Sequence, residues 1–154
     1  MRRPADQVAA FREACVGFAL GAVEAGAGLL VVGDADSPLF PDPLRPFAGA
    51  RCPGTPRFNL LVNYGWQWDV RAGFARAKSR RGPKDPLDAL ASSSVSRVDL
   101  VVRWGGRRRL SGFLPIQCAY ADFSVVETLW PDMRPEELLG ALEWYGRQDV
   151  TLGG

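Results

Sequence analysis

Histidine is absent from the 154 residues. That excludes every mechanism needing an imidazole: a Ser-His-Asp triad, a histidine general base, a histidine-ligated metal. Cysteine is scarce and scattered. Cys15, Cys52 and Cys118 form no CxxC pair, which argues against a structural zinc site. Long apolar runs are missing as well, because charges or glycines interrupt each one before it reaches a membrane-spanning length. The basic start Met1-Arg2-Arg3-Pro4 leads into an amphipathic stretch holding Asp6, Arg12 and Glu13, unlike the apolar core of a signal peptide. A cytoplasmic protein is expected, with at most peripheral membrane contact. Any metal would be a hard cation held by Asp or Glu, such as magnesium.

What is present suits one domain over residues 1–154, with 47% apolar residues to build a core and a net charge of +2 that selects no partner by itself. Val8, Phe11, Cys15, Phe18 and Ala22 recur at helical spacing, which predicts a helix from Asp6 to about Ala25, closed by Gly26 and Gly28. Leu29 to Val32 reads as a buried strand. Asp36 to Pro56 holds six prolines and reads as a long loop with at most one short helix. Phe58 to Val62 is a second strand. Asp69 to Arg81 is a helix with Val70, Phe74 and Ala77 on its inner face and a basic end that suits the helix dipole. Asp85 to Ser94 is expected to hold a short helix and a polar loop. Val98 to Val102 is a third strand, Phe113 to Ala121 a possible helix, and Phe123 to Val126 a fourth strand. Pro135 opens a last helix, with Glu136 and Glu137 at its positive end and Leu138, Leu139, Leu142 and Tyr145 as its buried face. Strands alternating with helices define an α/β fold, a single domain with a mostly parallel sheet flanked by helices.

Ligands of open parallel sheets bind beyond the carboxyl ends of the strands. Arg103 ends the third strand there. Gly105 and Gly106 follow, and glycines allow backbone N–H groups to approach a ligand closely. Arg107, Arg108, Arg109 and Ser111 come next, and guanidinium groups fork onto phosphate oxygens. Arg103, Gly105, Gly106, Arg109 and Ser111 can therefore form a diphosphate cradle. They can equally be a basic surface loop with a glycine turn. Aromatic residues are not interleaved with the basic ones, so nucleic acid is not an expected partner. Asp122 opens the fourth strand, as a surface carboxylate or, beside a diphosphate, a magnesium ligand.

Val98-Asp99-Leu100-Val101-Val102-Arg103-Trp104-Gly105-Gly106 and Arg109-Leu110-Ser111-Gly112-Phe113-Leu114 resemble the D-L-x-I-R-T-G-G and R-x-S-N-F-L motifs of the cis-prenyltransferase (undecaprenyl diphosphate synthase) family. Gln117-Cys118-Ala119-Tyr120-Ala121-Asp122 resembles Q-x-A-Y-A-E, and Leu129-Trp130-Pro131-Asp132 matches L-W-P-D. Asn63-Tyr64-Gly65-Trp66-Gln67-Trp68-Asp69 resembles N-Y-G-G-R-x-D. The likeness is strongest over residues 58–154; before that, Arg3-Pro4 through Val8 resembles R-P-x-x-E-V.

The resemblance implies condensation of isopentenyl diphosphate with an allylic diphosphate to Z-polyprenyl diphosphates, assisted by magnesium. Arg103, Arg109 and Ser111 would hold the diphosphate of isopentenyl diphosphate. Asp122 stands where the family has a glutamate that helps hold magnesium. Thr151 and Gly153 stand in the family's dimer-spanning R-x-G tail, with the arginine replaced. The family's M-D-G-N-G-R-W-A loop, which grips the allylic diphosphate and carries the catalytic aspartate, has no counterpart here, so no catalytic residue of that loop is assigned. The resemblance implies a homo- or heterodimer with another family subunit. In it this chain either supplies the isopentenyl diphosphate half of the site or acts as a non-catalytic, regulatory subunit.

Overall fold

The computed structural model describes residues 4–79, 82–83, 85 and 87–149. The chain falls into two compact units, Met1–Ser94 and Val95–Gly154.

In the first unit, helix α1 (Pro4–Glu24) leads into strand β1 (Gly28–Val32). All five residues of β1 are buried, as expected for a strand covered on both faces. A 3₁₀ turn (Asp42–Phe47) interrupts the proline-rich segment, and strand β2 (Arg57–Leu61) pairs parallel to β1, Gly28 opposite Arg57 and Val32 opposite Leu61. The other edge of β1 is covered by the segment before β2. There the Cys52 N–H donates to the Leu29 carbonyl (2.9 Å), and the Leu29 N–H donates to Cys52 Sγ (3.1 Å). Ala19, Leu29, Val31, Phe40 and Leu44 form the core, with Val16, Val23, Phe47, Phe58 and Leu60 packed around them. The proline-rich loop thus contributes Phe40 and Leu44 to the core. Helix α2 (Trp66–Ala77) closes the unit and is followed by turns.

In the second unit, strands β3 (Leu100–Trp104) and β4 (Asp122–Val126) are parallel, Leu100 opposite Asp122 and Trp104 opposite Val126. Helix α3 (Pro135–Tyr145) packs on both. The expected α/β class with parallel strands flanked by helices is what the structure shows. Among the described residues no helix is long and apolar enough to cross a membrane.

Several expectations need correction. Phe113 to Ala121 is a succession of turns. Ser111 and Leu114 adopt left-handed φ values of 54° and 38°, and Pro115 disfavours the helical region for Leu114 while supplying no N–H. Asp85 to Ser94 also forms turns among its described residues. The Asp85 carboxylate caps the Leu87 N–H at 2.8 Å, a local bond that competes with helix.

The helix faces are the larger surprise. Val8, Phe11 and Phe18 of α1, Phe74 of α2, and Leu138, Leu139 and Leu142 of α3 are all exposed. The buried positions are Ala19, then Asp69 with Gly73, then Ala141. A Cβ at Gly73 would lie 2.8 Å from Leu90 Cδ2, so α2 meets the following turns too closely for any side chain.

Candidate functional site

Arg103 lies one residue before the carboxyl end of β3, where the sequence places it. The chain then turns through Gly105 (φ 80°) and Gly106 (φ 65°), left-handed geometry that favours glycine. Their N–H groups do not point into a free nest. Gly105 N–H donates to the Thr128 carbonyl at 2.8 Å and Gly106 N–H to the Val126 carbonyl at 3.0 Å. The glycine pair is therefore a turn pinned to the end of β4, and its effect on a ligand is indirect: it fixes where the arginine loop emerges.

Arg107, Arg108, Arg109 and Ser111 are exposed on that loop. Arg109 and Ser111 form no side-chain hydrogen bond or ion pair with a described residue, leaving their polar groups open to a ligand. Arg103 is half-buried, and its Nε has no partner. Next to it, the Trp104 indole Nε1 is also buried without a partner, and the ring meets Trp130 edge to face with centroids 5.3 Å apart.

Glu127 is a site residue that motif reading missed. Its carboxylate lies against Gly106, where an added Cβ would be 2.5 Å from Oε2, and it approaches Arg108 at 3.9 Å. Both partners of that pair are solvent-exposed, so it contributes about 0–1 kcal/mol. A carboxylate here lowers the positive potential that an anion meets at the loop. Its place just past β4, beside a glycine turn past β3, was the available signal.

Thr128 and Glu137 fix the same rim to α3. The Thr128 hydroxyl donates to Glu137 Oε1, and the Arg134 N–H donates to Glu137 Oε2 at 3.0 Å. The hydroxyl first, then the backbone N–H, hold the Glu137 carboxyl down to about 2.

Asp122 opens β4 opposite Leu100, three register positions from Arg103, or about 10 Å along the strand. It sits toward the amino end of the ladder, away from the arginine rim. Among the described residues no group of three or more Asp, Glu, Cys or His side chains could hold a cation. Thr151 and Gly153 lie outside the described residues.

At the carboxyl end of β2, Asp69 is buried beneath the Asn63–Gly65 loop. Its carboxylate accepts from Ser92 N–H (3.1 Å), Ser92 Oγ (2.5 Å) and Tyr64 Oη (3.0 Å). The Asn63 side-chain amide, on a residue at φ 50°, donates to the Asp34 carbonyl at 3.4 Å.

A parallel α/β frame with a basic loop beyond a strand's carboxyl end is an architecture for binding phosphorylated small molecules. Residues 48–153 match the family described as "Putative undecaprenyl diphosphate synthase", and the chain belongs to this cis-prenyltransferase family. The farnesyl-diphosphate-specific ditrans,polycis-undecaprenyl-diphosphate synthase of Yersinia pseudotuberculosis is 33% identical over 108 residues, 64% of this chain and 43% of that protein. The geranylgeranyl-diphosphate-specific tritrans,polycis enzyme of Aeropyrum pernix is 30% identical over 131 residues, 83% of this chain and 58% of that one. The chain thus spans about half the length of these relatives. In fold it is similar to a probable undecaprenyl diphosphate synthase from Campylobacter jejuni (TM-score 0.72, 24% identity, 99% of this chain and 77% of that chain). It is likewise similar to lavandulyl diphosphate synthase from Lavandula x intermedia, solved with dimethylallyl diphosphate (TM-score 0.75, 21% identity, 99% and 74%).

Proposed function

We propose that the chain binds isopentenyl diphosphate at Arg103, Arg109 and Ser111, and that it takes part in Z-prenyl transfer together with another family subunit. The observation that carries this reading is Arg103, half-buried with an unpaired Nε at the carboxyl end of β3, inside the segment that matches the family. Guanidinium groups on a fixed frame stabilise diphosphate charge without reorganising, which is most of what diphosphate chemistry asks of protein. In this reading Arg103 is the buried anchor. Arg109 and Ser111, exposed and unpaired, close on the outer oxygens.

The partner is supported by one feature of the surface. In the second unit, Leu129, Trp130, Leu138, Leu139 and Leu142 are all exposed, more apolar surface than a lone domain needs to show. The allylic diphosphate and the magnesium ion belong to that assembled site.

Calorimetric titration with isopentenyl diphosphate in magnesium buffer tests the site. Wild type is expected to bind. Arg103→Ala is expected to weaken binding about 10- to 100-fold, the loss of one charge-assisted hydrogen bond at about 1.5–3 kcal/mol. Equal affinities in two chains with matching circular dichroism would remove Arg103 from the site.

A further inference from the structure

Helix α2 has two unlike sides. Its inward side is fixed by Asp69, which accepts from the Ser92 N–H and hydroxyl, and by Gly73, which packs against Leu90 too closely for a side chain. At 3.6 residues per turn the far side holds Gln67, Arg71, Phe74, Ala75 and Lys78, within an arc of about 100°. All of them are exposed, and Phe74 shows 55% of its surface. The Arg71 and Lys78 side chains form no ion pair or hydrogen bond with a described residue. Arg76 stands beside this stripe, exposed, and donates to the Ala89 carbonyl at 3.4 Å. Asp69, the one acidic residue of the helix, is the buried one. The sequence from Val70 to Lys84 adds no Asp or Glu and holds six Arg and Lys residues.

The helix dipole accounts for bases in the last turn only. Arg71 lies in the middle of α2, and the dipole gives no reason for a phenylalanine in water between two cations. Side chains three and four apart on a helix are neighbours, so Arg71, Phe74 and Lys78 form one contiguous patch. Such a patch suits the surface of an anionic bilayer. Each cation near that surface gains about fivefold in partition. An aromatic ring sits at headgroup level, and long Arg and Lys side chains reach back to the headgroups. The alternatives fit less well. A helix face is convex and offers no groove for an acidic peptide. Single-stranded nucleic acid stacks on successive aromatics, and this stripe carries only Phe74.

We infer that the outer face of α2 docks on a bilayer surface rich in anionic phospholipid. The Phe74 ring enters the headgroup layer, and Arg71, Arg76 and Lys78 meet the lipid phosphates. The contact is peripheral and reversible, because a few cations and a single ring supply a weak attraction that salt screens. The inference rests on α2 alone, and it stands whether or not isopentenyl diphosphate is the ligand of the rim past β3.

Co-sedimentation of the 154-residue chain with lipid vesicles tests it. Vesicles of equal parts phosphatidylglycerol and phosphatidylcholine should carry the chain down at low salt and release it at high salt. Vesicles of phosphatidylcholine alone should leave it in solution. Arg71→Gln combined with Lys78→Gln should weaken partition about 25-fold, fivefold for each base. Phe74→Ala should weaken it a few-fold. These side chains are exposed, so circular dichroism should be unchanged in every variant. Arg107→Gln combined with Arg108→Gln removes the same charge from the other basic loop and should have little effect. Equal losses in the two double variants would overturn the inference in favour of net charge acting without a docking face. No partition onto the anionic vesicles would also overturn it, as would a Phe74→Ala chain that partitions like wild type. Tighter capture by a mixed-sequence RNA, lost in the α2 variants, would overturn it in favour of nucleic acid. Release from the vesicles by inorganic phosphate at fixed ionic strength would assign the cations to a free phosphate ligand instead.

Discussion

At the scale of single residues, the rim beyond β3 and β4 is organised by two carboxylates with different tasks. Glu137 is structural. Its carboxyl is held at about 2 by the Thr128 hydroxyl and the Arg134 N–H, well below an unfolded glutamate at about 4.3. A depressed folded value means that ionised Glu137 stabilises the fold above the unfolded value, and that this contribution is lost as pH falls from about 4.3 through about 2. Thermal melts should therefore show Glu137→Gln less stable than wild type at neutral pH, with the gap closing as pH falls through that window. Equal melting temperatures at neutral pH would show that the Thr128–Glu137 contact holds nothing. Glu127 has the opposite relation to function. It lies against Gly106 and approaches Arg108, so it competes with an incoming anion for the arginine loop. Glu127→Gln should tighten isopentenyl diphosphate binding by a few-fold, on the order of one exposed ion pair, and most at low salt. Weaker binding in titrations of the variant would instead make Glu127 part of the cradle.

Asp69 belongs to the same scale. Three donors from Ser92 and Tyr64 converge on one buried carboxylate. Asp69→Asn replaces an acceptor oxygen with a donor facing donors, and should cost about 2–3 kcal/mol in urea denaturation. A cost under about 0.5 kcal/mol would place those donors in contact with water.

At the scale of elements, all four strands were legible in the sequence because each is a short, mostly apolar run. The helices were legible as helices, but their inner faces were not. Periodicity gives an apolar stripe, and the largest residues on it were read as the core. In the structure the buried helix positions other than Asp69 are small: Ala19 on α1, Gly73 on α2 and Ala141 on α3. Close approach selects small residues, and hydropathy alone does not report closeness. Gly73→Ala tests this at one point. Alanine ordinarily improves a helix by about 1 kcal/mol over glycine, but here its Cβ meets Leu90 at 2.8 Å, so the variant should melt lower than wild type. Gly73→Ala with Leu90→Ala should recover part of the loss. The false helix over Phe113 to Ala121 has a different cause, the backbone strain at Leu114 before Pro115, which an apolar count does not register.

The site was legible in part. Arg103 stands at the predicted strand end, and Arg109 and Ser111 are on the predicted loop. The glycines were expected to offer free N–H groups and instead donate to Val126 and Thr128. Those contacts join residues twenty or more apart in sequence, so the motif alone could not reveal them.

At the scale of the whole molecule, the segment that matches the family carries a basic loop past β3 and exposed apolar residues in the same unit. In the proposed function this rim is the isopentenyl diphosphate half of a prenyl-transfer site that another family subunit completes. The most direct measurement incubates the purified chain alone with labelled isopentenyl diphosphate, farnesyl diphosphate and magnesium, and follows both bound label and extended product. The account predicts bound label, displaced by unlabelled isopentenyl diphosphate, and no extended product until a second family subunit is added. Polyprenyl product from the chain alone would contradict it, because the complete site would then lie within these 154 residues.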